Sequence, residues 1–208
     1  PNTKWKKDTL GRGWVLGETL ITGIGQGYIS STPLQLCLMT AHLANGGFRI
    51  KPRIVDDGSI SFEDIKAKIE NQLYETALIP NLNALEDTEP KFLEPMFRNH
   101  ENIKFVCDAM YGSTNELYGT SYSSRIEDEK YQFAGKTGTS QVKRITEAER
   151  EADLEISEIP YEERDHALYV AFGPYKNPRY SVSILIEHGG TGSSTAAPIA
   201  KQIFKKVI

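Results

Sequence analysis

An α/β fold of the α+β kind, with an antiparallel sheet and helices packed on it, is predicted by the order of hydrophobic patterns in this chain. Three runs in the last third, 133–142, 167–175 and 179–187, are rich in β-branched and aromatic residues, as strands are. Lys176-Asn177-Pro178 separates the last two and is short enough to fold them into a hairpin. Other stretches repeat their apolar residues at helical spacing, upstream of the strands and again at the end of the chain. A length of 208 residues, 39% hydrophobic and 25% charged, suits one globular domain. At that size folding buries roughly 70% of the unfolded chain's surface, so a core needs neither disulfides nor metals.

Each element follows in order. Residues 1–28 carry Gly11, Gly13, Gly17, Gly23, Gly25 and Gly27 and sustain no period, which predicts extended and looped chain. Thr32 is a capping residue and Pro33 suits the first helical position, so a helix is expected over 33–44. Leu34, Cys37, Leu38, Ala41, His42 and Ala44 keep its period, and Asn45-Gly46-Gly47 supplies the stop. Residues 48–55 alternate around Pro52 and predict a short edge strand; Asp56-Asp57-Gly58 then turns, and 59–95 reads as loop with short pieces of structure. A second helix is expected over 97–117, from Phe97, Ile103, Val106, Cys107, Met110 and Tyr111. After the first strand, 143–165 is dense in Glu and Arg and reads as a solvated loop. Ile199, Ile203, Phe204 and Val207 lie on one face of a C-terminal helix over 194–207, which should pack on the sheet.

Several functions are disfavoured. The net charge of -4 is spread over both signs, with no basic stripe interleaved with aromatics, so no nucleic-acid partner is expected. No apolar run reaches the roughly 18 residues of a membrane span. The opening Pro-Asn-Thr-Lys-Trp-Lys-Lys has neither a signal peptide nor an initiating methionine, which predicts a cut fragment with any anchor outside it. Cys37 and Cys107 sit in apolar or helix-like stretches and read as buried free thiols. His42, His100, His166 and His188 are scattered without metal spacing, so they read as packing or surface residues; no metal and no cofactor are expected. The glycines of 23–28 lack the phosphate-loop patterns and predict a close-packed structural loop.

Lys136-Thr137-Gly138-Thr139 carries the chemistry. It puts a cation, two hydroxyls and a glycine in the middle of a predicted strand, where packing alone would favour Val or Ile. A strand edge offers backbone N–H and C=O groups to an extended peptide, Gly138 lets that peptide approach, and the hydroxyls can hold a carboxylate. K-T-G is one of the signature motifs of penicillin-binding proteins and class A β-lactamases. It stands in series with Gly23-Ile24-Gly25-Gln26-Gly27-Tyr28, Thr32-Pro33-Leu34-Gln35, the run Ala171-Phe172-Gly173-Pro174-Tyr175-Lys176-Asn177-Pro178, and Glu187-His188-Gly189-Gly190. In these motifs and their order the chain resembles the class B penicillin-binding proteins, specifically the elongation-specific penicillin-binding protein 2 branch. The likeness runs from about Thr19 to the end and is weakest over 56–99.

That resemblance implies the penicillin-recognising serine transpeptidase and β-lactamase-like fold, with residues 1–208 the C-terminal part of a single transpeptidase domain that lacks the segment bearing the nucleophilic serine. It implies a peptidoglycan D,D-transpeptidase of cell-wall elongation, acting through an acyl-serine and inhibited by β-lactams, the fragment alone being inactive. Lys136 and Thr139 would be catalytic, and Thr137, Gly138 and Thr139 would bind substrate. The partners implied are the peptidoglycan stem peptide, β-lactam antibiotics and, in the full-length form, membrane proteins of cell elongation. The implied location is the periplasmic face of the inner membrane, by way of an N-terminal anchor helix. A β-lactamase or D,D-carboxypeptidase-like hydrolase, and a non-catalytic interaction module, are the alternatives. Two sequence matches read as decoys. Ser140-Gln141-Val142-Lys143 fits S-x-x-K but lies on a strand, where successive side chains point to opposite faces. Ser113-Thr114-Asn115 fits S-x-N but falls after the glycine-rich segment and reads as a helix C-terminal turn.

Overall fold

The three strands pair in chain order. In the computed structural model, which describes residues 1–52, 67, 95–142 and 154–208, β1 (Ala134–Ser140), β2 (His166–Gly173) and β3 (Tyr180–Ile186) form one antiparallel sheet, β1-β2-β3. The register sets Lys136 opposite Val170, Thr137 opposite Tyr169 and Gly138 opposite Leu168. Among the described residues β1 pairs with β2 alone, which leaves its other side an edge.

Among the described residues the bounded α-helices beside the sheet are α1 (Thr3–Leu10), α2 (Leu16–Gly23), α3 (Pro33–Ala44), α4 (His100–Asn115) and α5 (Ala197–Val207). Alternation along β2 divides the core in two. On one face Ala167, Tyr169 and Ala171 meet Ala197, Ala200 and Phe204 of α5, with the Phe204 ring stacked 4.8 Å from Phe133. On the other, Phe172 and half-buried Val170 pack with Met110, Cys107 and Tyr111 of α4 and Leu43 and Ala44 of α3. The sheet therefore lies between α5 and the α3–α4 pair, as its apolar content on both faces requires.

The predicted helix over 33–44 forms with those bounds, and its capping is reciprocal: the Thr32 hydroxyl accepts from Gln35 N–H (3.2 Å), while Gln35 Oε1 accepts from Thr32 N–H (2.8 Å). The helix expected over 97–117 runs from His100 to Asn115, started by Asn99, whose side chain accepts from Glu101 N–H at 2.8 Å. The C-terminal helix is entered through a π turn, Gly192–Ala196.

Two expectations are corrected. Residues 1–28 are not all extended chain: they hold α1 and α2. Asn2 Oδ1 accepts from Trp5 N–H (2.8 Å), Gly11 closes α1 at φ 65°, and Glu18 Oε2 accepts from Val15 N–H (2.8 Å) to start α2. Helices of two turns show no sustained period, so their glycines read as loop when two of them act as connectors and stops. Nor do residues 48–52 form a strand. Phe48 makes one isolated bridge to Pro95, and side chains take the neighbouring donors: Asn45 Oδ1 accepts from Phe48 N–H (3.0 Å) and His42 Nε2 from Ile50 N–H (3.1 Å). The rest of that predicted strand, the turn at 56–58, nearly all of 59–95, and residues 143–153 of the acidic loop lie outside the described residues. The described remainder of that loop includes one short 3-10 turn, Tyr161–Glu163.

Candidate active site on the edge strand

Lys136, Thr137, Gly138 and Thr139 occupy the middle of β1. In an antiparallel pair, alternate residues turn both backbone groups toward the partner strand or away from it. The Thr137 carbonyl accepts from Lys136 Nζ (3.0 Å) and the Thr139 carbonyl from Gln26 Nε2 (3.0 Å). These carbonyls, two residues apart, share the outward side, and the Thr139 N–H points outward with them. The edge thus presents a backbone donor at Thr139 beside an exposed ammonium at Lys136, whose Nζ also lies 3.4 Å from Thr137 Oγ1.

Glycines let the rest of the molecule close on this strand. A Cβ at Gly138 would stand 3.3 Å from Leu168 Cβ, and one at Gly192 would stand 2.8 Å from the Gly138 carbonyl oxygen and 3.1 Å from its nitrogen. A Cβ at Gly135 would run into the phenol of Tyr169, which crosses β1 there. The Tyr169 hydroxyl is fully buried, 2.9 Å from Thr114 Oγ1 and 3.0 Å from Ser121 Oγ, and burial raises its pKa above the usual tyrosine value. Asn115 Nδ2 donates to the Phe133 carbonyl (2.9 Å), joining the end of α4 to the start of β1. A surface line of hydroxyls runs from the same turn to the motif: Ser113 Oγ is 3.2 Å from Thr120 Oγ1, which is 3.4 Å from Thr137 Oγ1.

With this geometry in view, the family is decided by comparison: residues 4–205 match the penicillin binding protein transpeptidase domain. The chain belongs to that family. It is 32% identical over 203 residues to the peptidoglycan D,D-transpeptidase MrdA of Haemophilus influenzae, covering 98% of this chain and 28% of that protein. Against MrdA of Escherichia coli K12 it is 29% identical over 209 residues, covering 100% and 29%. Among solved structures it resembles the Helicobacter pylori PBP2 in a complex with MreC (TM-score 0.70, 27% identity, 100% of this chain and 30% of that one). It also resembles Pseudomonas aeruginosa PBP2 in complex with WCK 5153 (TM-score 0.66, 32% identity, 99% and 35%). The chain spans less than a third of the length of the curated relatives it matches. Antiparallel sheet and packed helices are thus those of a penicillin-binding transpeptidase domain.

Within that family frame, the remaining candidates sort themselves. Ser140 is the last residue of β1, opposite His166, rather than at a helix start; Lys143 lies outside the described residues. Ser113, Thr114 and Asn115 form the last turn of α4. His166 and His188 act structurally: the His188 N–H donates to His166 Nδ1 (2.9 Å), and His188 sits at φ 54° in the turn after β3. His42 is nearly buried against residue 50, as described, and the His100 ring packs 5.3 Å from Phe48. Cys37 and Cys107 are free and half-buried, Cys37 Sγ lying 3.2 Å from Ser181 Oγ. Among the described residues no three His, Cys, Asp or Glu side chains gather as metal ligands, and no helix is long and apolar enough to cross a membrane. Sequence reasoning missed Gln26, Ser113 and Thr120 as neighbours of the motif. The Ser/Thr-rich run 113–124 with Gly119 inside it was the available signal.

Proposed function

We propose that these residues are the C-terminal part of the transpeptidase domain of a peptidoglycan D,D-transpeptidase of cell-wall elongation, with the nucleophilic serine supplied by sequence outside them. The observation that supports this reading is the outward edge of β1, where the Lys136 ammonium lies against the Thr137 carbonyl and hydroxyl, two residues before Thr139. A stem peptide ending in a carboxylate would lie along this edge as an added strand, its carboxylate taken by the Thr137 and Thr139 hydroxyls. Gly138 leaves room for its backbone. The Thr139 N–H would donate to the carbonyl oxygen as attack by the serine gives it negative charge; one such donor is worth about 3 kcal/mol in a serine protease. Lys136 would hold the hydrogen-bond network of the nucleophile and favour its anionic form. Collapse of the serine adduct would break the peptide bond to the terminal residue, which leaves as the free amine, and the acyl group would then pass from the serine to an amine on a neighbouring strand, restoring the serine hydroxyl. β-Lactams would acylate the same serine. In the cell such an enzyme would work on the periplasmic face of the inner membrane, beside membrane proteins of elongation.

Covalent labelling by a fluorescent penicillin, read by intact mass, tests the reading on this chain and on the polypeptide extended N-terminally. An adduct on the extended form alone is expected. An adduct on the chain itself, mapped to Ser113 or Ser140, would reverse the treatment of those serines, and no adduct on either form would leave a non-catalytic interaction module. In the extended form Lys136→Met should slow acylation by on the order of 100-fold or more at unchanged melting temperature.

A further inference from the structure

We propose that Thr120 is a positioning residue that turns the Thr137 hydroxyl proton toward the bound carboxylate, an inference that rests on the reading of β1 as a carboxylate-binding edge. Lys136 Nζ has only protons to give, so at 3.4 Å it donates to Thr137 Oγ1. A carboxylate only accepts, so the single Thr137 proton is what that hydroxyl can offer it. Nothing about Thr137 alone directs that proton outward, because a hydroxyl rotor turns to whichever acceptor is available.

Thr120 and Ser113 supply the direction. With Thr120 Oγ1 3.4 Å from Thr137 Oγ1 and Ser113 Oγ 3.2 Å from Thr120, the chain is consistent in one sense: Ser113 donates to Thr120, Thr120 to Thr137, and Thr137 to the carboxylate. A charged acceptor at the end polarises each link and draws it shorter, so the gain is largest for an ionised ligand.

The loop that delivers Thr120 is held rigidly. Gly119 N–H donates to the Glu116 carbonyl (2.8 Å), and Ser121 returns both its N–H and its hydroxyl to the Ser113 carbonyl (3.0 Å each). A Cβ at Gly119 would collide with the carbonyl oxygens of Gly112 and Ser113, so a glycine is what lets the turn close. Beneath it Tyr169, Thr114 and Ser121 form a fully buried hydroxyl cluster, which fixes the loop to the strand opposite Thr137. Thr120 itself is exposed, so its hydroxyl can be removed without opening the core.

The test compares acylation by benzylpenicillin with acylation by its methyl ester, in the full-length polypeptide that carries these residues. Thr120→Val should slow the carboxylate form about five- to tenfold and leave the ester rate and the melting temperature unchanged. Thr120→Ser, which keeps the hydroxyl, should restore the wild-type rate. An equal loss with both compounds, or no loss with either, overturns the proposal. A wild-type protein that takes no penicillin defeats the transpeptidase reading, and acetate titration of the same polypeptide, followed through the backbone amides of Thr137 and Thr139, then decides the relay. Weaker acetate binding in Thr120→Val upholds it; equal or absent binding in both proteins overturns it.

Discussion

At the scale of single residues, the active edge depends on missing side chains as much as on present ones. Gly135 has no Cβ because the Tyr169 phenol occupies that space. Gly135→Ala should therefore cost about 1–3 kcal/mol by overpacking, read as a lower urea midpoint, whereas Gly138→Ala, with 3.3 Å to Leu168 Cβ, should cost less. Cys107 offers a second check. Burial, with the charge of Asp108 added, pushes its thiol up to about 11, so at pH 8 roughly one molecule in a thousand carries the thiolate. Iodoacetamide should modify Cys107 only once urea has unfolded the chain, as peptide mass mapping would report. The motif stood out in the sequence because its lysine and glycine are residues that strands disfavour. Thr120 did not, because a Ser/Thr-rich run around a glycine marks a turn without saying which strand, seventeen positions away, that turn meets.

Among elements, legibility followed length and capping. The helix over 33–44 announced both ends through Thr32-Pro33 and Asn45-Gly46-Gly47, and the three strands through runs of β-branched and aromatic residues. α1 and α2 were hidden because two-turn helices rest on caps and tertiary partners rather than on a repeated apolar face. Their shared anchor is Lys6, whose ammonium donates to the Gly13 carbonyl (2.7 Å) and pairs with Glu18. Lys6 chiefly, then the Val15 N–H, hold the Glu18 carboxyl below its ordinary value of 4.5. A depressed carboxylate contributes stability that is complete above the unfolded value and disappears as pH falls through the folded one. The chain's two tryptophans, Trp5 and Trp14, both stand in this segment. Their fluorescence should therefore change on acidification below about pH 4.5, while far-UV circular dichroism of the sheet persists. In Glu18→Gln that early pH-dependent step should be missing.

For the molecule as a whole, one sheet between two helical layers explains why the motif can be polar in the middle of a strand. α5 supplies the buried packing on one face through Ala197, Ala200 and Phe204, and α4 and α3 supply it on the other, so among the described residues β1 can leave its outer edge unpaired. That the C-terminal helix packs on the sheet was read from sequence, although of its expected face only Phe204 is buried, beside Ala197 and Ala200; the path of the turn after β3 back over β1 was not read, since it rests on backbone contacts that leave no pattern. That return has a historical consequence. Gly192 lies on the backbone of Leu168 and Gly138, whose atoms occupy the volume a side chain on Gly192 would need. Position 192 cannot gain bulk by a single substitution unless the strands beneath it shift, so the lineage of this domain can change there only in step with them.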